Sequence, residues 1–233
     1  MNGIYCGPAP APPEIWTSFN LDPPLLAALA VLAVALRRQT QGLAGVAVLV
    51  LALVSPLCAL SSALFAARVV HHVLLVAVAA PLLACALRTR APAGGAGLPL
   101  AVSTAVLWAW HLPPAYDLAL GNIPVYWVMQ LSLLGSAVWF WHAVLAGPGP
   151  VVGRLGCVVA GFAQMGVLGA LLTFAPEPLY AIHQTAPLAW GLAPLLDQQL
   201  GGLIMWLPAG LPYAVIAAGL ARRDWRRLRA AAA

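Results

Sequence analysis

Residues 66–87 read AARVVHHVLLVAVAAPLLACAL, an apolar run with one arginine and two histidines near its start. A helix of this length would rise about 33 Å, which matches the roughly 30 Å hydrocarbon core of a bilayer. Because so few of its positions are polar, the run is typical of a transmembrane helix. It therefore predicts a membrane protein.

The composition of the whole chain favours the same class. Of the 233 residues, 63% are hydrophobic and 7% are charged, whereas about 25% are charged in an ordinary soluble domain. So few charges could not cover the surface of a soluble fold, and the high apolar content excludes a disordered chain. All 11 basic residues are arginines, and the formal net charge is +5.

Six further apolar segments bring the total to seven. They cover about residues 21–36, 42–60, 97–112, 123–145, 151–174 and 200–220. Proline and glycine, which punctuate helices, fill most of the breaks between them. The prediction is an all-α membrane domain at 21–221, a bundle of seven transmembrane helices. An extracytoplasmic segment at 1–20 precedes it, and a basic cytoplasmic tail at 222–233 follows it.

Arginines predict the orientation of this bundle. They lie after the first and third segments, in the turn into the sixth segment and in the tail. These are alternate connections between the segments, so they share one side of the membrane. They are Arg37, Arg38, Arg88, Arg90, Arg154, Arg222, Arg223, Arg226, Arg227 and Arg229. Because cytoplasmic loops carry an excess of arginine, we expect the N-terminus outside and the C-terminus inside. The basic tail is then a stop signal at a lipid surface, and nucleic acid is not an expected partner.

Arg68 departs from this pattern, because it lies in the first turn of the third segment near the outer boundary. A charge within the membrane is expensive and often functional. Asp117 and Asp197 are the acids that could pair with it across the outer mouth. The alternative is that the Arg68 side chain extends to the outer lipid head groups.

Other polar side chains collect at the same outer end. Four of the five histidines fall there, and His142 is the exception. The outer residues are His71, His72, His111, Asp117, Gln130, His183, Asp197, Gln198, Gln199 and Met205. Imidazole, thioether and carboxylate together could hold a transition metal, and imidazole with methionine favours copper. No spacing specific to a metal is present, so a hydrogen-bonded role at the interface stays open for each histidine.

Two further classes of signal are missing. The cysteines form no CxxC pair, and Cys58, Cys85 and Cys157 lie in apolar runs, where a free cysteine behaves as a small hydrophobic side chain. Neither a GxSxG nucleophile motif nor a GxxxxGK phosphate loop occurs. An enzyme is therefore not predicted.

Three motifs resemble the polytopic CtaG-type cytochrome c oxidase assembly family. Residues 108–117 read WAWHLPPAYD, similar to the family's WxWHxPxxYD stretch. Residues 72–83, HVLLVAVAAPLL, resemble its HxLL…APLL helix, and residues 197–206, DQQLGGLIMW, resemble its DQQxGGxxMW signature. The motifs fall in the third, fourth and seventh segments in order, so the resemblance covers most of the chain.

The resemblance implies a factor in the bacterial plasma (inner) membrane that helps to assemble haem–copper oxidases, acting on formation of the copper B centre. Carried over by motif, His72, His111 and Met205 are the candidate copper ligands. Expected partners are an oxidase subunit, a copper chaperone or both, together with the lipid bilayer. Copper is the one cofactor that the resemblance suggests.

Two positions differ from the family pattern. The family commonly has histidine where this chain has Arg68 and Gln130. Arginine is always protonated and only donates hydrogen bonds, so it cannot replace a metal ligand. Both residues are instead assigned to a polar cluster that contacts a partner or supports the fold. The cluster comprises Arg68, His71, Asp117, Gln130, Asp197, Gln198 and Gln199.

The last motif also carries expectations about packing. Gly201 and Gly202 would let a neighbouring helix approach the seventh segment closely. Asp197 is expected to accept hydrogen bonds from the loop and to fix where the seventh helix begins.

Two other function classes stay open from the sequence. One is a membrane electron carrier with haem held between His72 and His111. The other is a small-solute transporter, against which the lack of an internal repeat argues.

Overall fold

The computed structural model describes residues 4–87, 89 and 94–232, and these residues are overwhelmingly helical. No β-strand occurs among them. The helices are α1 (Pro23–Leu36), α2 (Thr40–Leu53), α3 (Pro56–Ala63), α4 (Phe65–Val73), α5 (Ala80–Ala86), α6 (Gly97–His111), α7 (Pro113–Gly121), α8 (Ile123–Ala146), α9 (Val151–Thr173), α10 (Pro194–Trp206) and α11 (Gly210–Ala232). Arg88 and Arg90, two of the arginines that predict the orientation, lie outside the described residues.

Four of the described helical stretches are long and apolar enough to cross a bilayer. They are Phe65–Ala86, Ile123–Ala146, Val151–Thr173 and Pro194–Ala231. The helices α2 and α3 make a fifth if they count as one span, bent by 46°. The prediction of an all-helical chain with several membrane-spanning helices is confirmed. Each of the seven predicted segments is helical, but α1 and α6 have only 14 and 15 residues.

The bend in the second segment follows from local sequence. The Ser55 hydroxyl accepts a hydrogen bond from the Leu57 N–H at 3.2 Å and caps α3. Pro56 takes the first helical position, where the missing N–H is not needed. Leu64, the residue after α3, adopts an extended conformation, and α4 begins at the next residue, Phe65.

A disulfide between Cys6 and Cys58 anchors the N-terminal segment on α3. The expectation that Cys58 is a free apolar thiol is therefore wrong, whereas Cys85 and Cys157 are free. The same segment packs on α8, because the Tyr5 ring stacks on that of Tyr126 with centroids 4.9 Å apart. The chain before α1 is thus part of the folded body.

Helix α10 is packed between α4 and α9 through two adjacent glycines. A Cβ on Gly201 would lie 2.5 Å from the Phe65 ring of α4. A Cβ on Gly202 would lie 2.5 Å from the Gly169 carbonyl oxygen of α9. The predicted close approach at this motif is confirmed, and it occurs on two faces of the helix.

Candidate functional site

The polar residues of the third segment point into the bundle. Arg68, His71 and His72 on α4 are 0%, 0% and 2% exposed. The rings of His72 and of His111, from α6, have centroids 6.1 Å apart. Gln130 of α8 is 3% exposed. These five residues are called the buried polar cluster below, and they form the core of the candidate site.

Arg68 is fully buried in the buried polar cluster. Its guanidinium carbon is 5.5 Å from the centroid of the Tyr126 ring. Its Nε, Nη1 and Nη2 atoms have no hydrogen-bond partner among the described residues. Both hypotheses for this residue are wrong, because a fully buried side chain does not reach the lipid head groups and neither Asp117 nor Asp197 is bonded to it.

Asp197 caps a helix other than its own. One of its carboxylate oxygens accepts from the Phe65 N–H at 2.6 Å, and the other accepts from the Ala66 N–H at 3.1 Å. The first N–H groups of a helix lack partners within it, so a carboxylate at this position stabilises α4. The expectation that Asp197 fixes the start of α10 is therefore wrong. It fixes the start of the helix that carries Arg68, His71 and His72.

The loop between α9 and α10 covers the cluster and is tied to α6 and α7. The Tyr180 hydroxyl donates to the His111 carbonyl oxygen at 2.9 Å. The two oxygens of Asp117 accept from the Ala181 and Ile182 N–H groups at 3.1 and 3.3 Å. Asp117 is thus an anchor for the loop rather than a partner of Arg68.

His183 ends the first short 3₁₀ turn of this loop and is buried against Tyr116. Its Nε2 atom and the Tyr116 hydroxyl lie 2.9 Å apart. Burial, and to a smaller extent the nearby charge of Arg68, lower the pKa of His183 to about 3. The imidazole is therefore neutral at physiological pH and serves as a hydrogen-bonding partner.

The remaining predicted site residues lie in or beside contacts between elements of the fold. The Gln198 Oε1 atom accepts from the Leu179 N–H at 2.7 Å and so holds the start of the covering loop. Gln199 is half-buried. Met205 is buried where α10 meets α9, since a Cβ on Gly169 would lie 3.1 Å from the Met205 Cβ.

The side chains of the site are few for a metal centre. No group of three or more His, Cys, Asp or Glu side chains in the described part of the chain is arranged to hold a metal ion. The cluster offers the two neighbouring imidazoles of His72 and His111, with a permanent positive charge close by at Arg68.

A family model described as "cytochrome c oxidase caa3 assembly factor" matches residues 97–227, more than half of the chain. The chain belongs to this family. The resemblance to the family is thereby confirmed, and the match includes two of the three motifs, at residues 108–117 and 197–206. Comparisons with curated proteins and with solved structures gave no match.

The caa3 assembly factor match begins at α6, so it includes only part of the site. His111, Gln130, Asp197 and Met205 lie inside it, whereas the three cluster residues of α4 precede it. The Asp197 cap links the two parts, because it joins the family's DQQ motif to the first turn of α4. The site therefore combines residues inside the matched range with residues that precede it.

Sequence reasoning missed several aromatic residues that enclose the site. Phe65 stacks on Tyr180 with ring centroids 4.7 Å apart, and Tyr116 lies 4.3 Å from Tyr180. Tyr116 belongs to the WAWHLPPAYD motif, so the signal for it was available. Phe65 lies just before the predicted third segment, and Tyr180 lies in the loop between α9 and α10. No periodic sequence pattern marks either residue.

Proposed function

We propose that the chain is a non-enzymatic assembly factor for a respiratory haem–copper oxidase and that it aids formation of the copper B centre. Membership of the caa3 assembly factor family supports the broader part of this proposal. The observation that carries the finer part is the placement of His72 and His111 side by side in a buried cluster, 6.1 Å between ring centroids. Imidazole is a common ligand of copper.

Copper enters this proposal as cargo and not as a resident cofactor. His72 and His111 are the imidazoles that would meet it, with Met205 as a third candidate. Two imidazoles beside the positive charge of Arg68 would not hold a copper ion firmly. The ion would therefore pass between this chain and its partners, which would be an oxidase subunit, a copper chaperone or both. Transfer to the oxidase is then favoured over storage.

We also propose seven spans, with the N-terminus outside the bacterial inner membrane. The short helices α1 and α6 would rise about 21 and 23 Å, and a bilayer can thin locally to match such lengths. The disulfide between Cys6 and Cys58 supports an outer position for the N-terminal segment, since disulfides persist in oxidising compartments. The arginines at the opposite end support the same orientation.

Reporter fusions would test the orientation. A reporter that is active only in the periplasm should be active when fused after Gly121 and inactive when fused after Gly149. The two positions follow α7 and α8, so a single helix separates them. The reverse pattern would place the site on the cytoplasmic side and would contradict the proposed orientation.

Deletion of the gene would test the function. We expect the oxidase subunit to be synthesised, with low activity and with copper depleted relative to haem. His111→Ala should reproduce the defect. His142→Ala is the matched control, because His142 is also buried, at 5% against 6% exposed, but lies at the opposite end beside Thr89.

The response to added copper would distinguish two mechanisms. If the protein transfers metal, excess copper should partly restore oxidase activity, since mass action can replace delivery. If it holds the oxidase subunit in an insertable state, added copper should have no effect. Normal oxidase activity and copper content in the deletion strain would contradict the assembly role altogether.

A further inference from the structure

The buried polar cluster contains a positive charge that no Asp or Glu side chain among the described residues neutralises. Arg68 is 0% exposed and carries five N–H donors on three nitrogens that lack partners among the described residues. An unpaired ion in a low-dielectric interior strongly destabilises the folded state. A fold that keeps Arg68 in this position therefore needs a compensating group.

The six acidic residues all lie in the described part of the chain, and none of them pairs with Arg68. Glu14 and Glu177 are exposed, and Asp224 lies in the basic tail. Asp22 accepts from the Tyr5 hydroxyl at 2.7 Å. The oxygens of the remaining two acids, Asp117 and Asp197, accept backbone N–H groups, as described above.

The aromatic neighbour of Arg68 compensates only in part. The Tyr126 ring lies 5.5 Å from the guanidinium carbon, and such a contact offsets only part of the cost of burying a cation. It also leaves the N–H donors without acceptors. These donors therefore stay available to a ligand from outside the chain, and the positive charge of Arg68 favours an anion.

Other side chains of the cluster have unused hydrogen-bonding atoms as well. Both ring nitrogens of His71 and of His72 are buried without partners among the described residues, and so are the amide nitrogen and oxygen of Gln130. Gln130 follows Tyr126 by one helical turn on α8, which places it on the same face as the ring that contacts Arg68. These groups can supply further donors around an anion.

We propose that the buried polar cluster binds one small monovalent anion, such as chloride, at the guanidinium of Arg68. A single charge matches the single permanent cation of the cluster. A small size follows from burial, because Arg68, His71, His72 and Gln130 are each at most 3% exposed. This site goes beyond the proposed function and does not depend on it.

The test uses the purified full-length protein in detergent. The midpoint of thermal unfolding is measured while sodium chloride replaces sodium gluconate at constant ionic strength, since gluconate is too large for an enclosed site. We expect the midpoint to rise with the logarithm of the chloride concentration once that concentration exceeds the dissociation constant, as binding to the folded state alone requires. Chloride NMR line broadening on the same sample reports binding directly.

Arg68→Met should abolish both the chloride-dependent rise of the midpoint and the line broadening. Arg154→Met is the matched control, because Arg154 is a half-buried arginine away from the cluster and bonds to the Val144 carbonyl oxygen. It should keep the chloride response of the parent.

Gln130→Ala keeps the proposal testable if Arg68→Met does not fold. Loss of one hydrogen bond to the anion should raise the half-saturating chloride concentration about tenfold. Absence of a chloride response in the parent protein would overturn the proposal. An unchanged response in both cluster variants would overturn it too, because chloride would then bind elsewhere.

Discussion

Replacing Gly202 with alanine should strongly reduce the amount of folded protein. The added Cβ would lie 2.5 Å from the Gly169 carbonyl oxygen and 2.7 Å from the Thr173 backbone nitrogen, both on α9. Backbone atoms cannot move aside as a flexible side chain can, so α10 and α9 would have to separate. Overpacking costs about 1–3 kcal/mol and occasionally more, and we expect this substitution at the upper end. The thermal unfolding midpoint in detergent measures the loss.

Gly219→Ala is the control for this experiment. Gly219 lies in α11, and a Cβ added there would have nothing within 4 Å. Alanine should therefore be neutral or slightly stabilising at this position through its higher helix propensity. Equal losses in the two variants would show that α10 and α9 do not meet as closely as described.

Asp197→Ala should have a similarly large effect through a different cause. The substitution removes both acceptors for the Phe65 and Ala66 N–H groups, which are 2.6 and 3.1 Å from the carboxylate. Hydrogen bonds to charged groups contribute about 1.5–3 kcal/mol each, so the loss of both should cost about 3–6 kcal/mol. Helix α4 should then open at its first turn, which limited proteolysis and the unfolding midpoint would both detect.

Asp117→Ala serves as the comparison for Asp197→Ala. Asp117 also accepts two backbone N–H groups, at 3.1 and 3.3 Å, but it is half-buried and holds a loop rather than a helix. We expect a clearly smaller decrease in the unfolding midpoint. If the two variants are equally stable, the cap on α4 is not a major contribution to the fold.

Helix positions could be predicted well from the sequence, because hydrophobic length is a local property. The predicted segments 123–145 and 151–174 correspond to Ile123–Ala146 and Val151–Thr173. The break between α2 and α3 was missed because hydropathy continues across it. The signal was the Ser55-Pro56 pair, which is typical of a helix start.

The site could be predicted only in part. The motifs brought His72 and His111 together correctly, since each motif fixes its own histidine near one helix end. The partners of Asp197 were not predictable, because they lie 131 and 132 residues away and are backbone groups. No sequence pattern marks an N–H donor, so a carboxylate can be assigned to the wrong partner even when its position is right.

The disulfide between Cys6 and Cys58 closes the N-terminal part of the chain into a covalent ring that contains α1 and α2. Helix α1 has only 14 residues, so hydrophobic length alone holds it weakly in a bilayer. Closing a loop with a sequence separation of 52 restricts the unfolded chain by roughly 4 kcal/mol in the chain-entropy view. The short apolar helix α1 is thus tethered, and a reductant would leave it held by side-chain packing and a few hydrogen bonds.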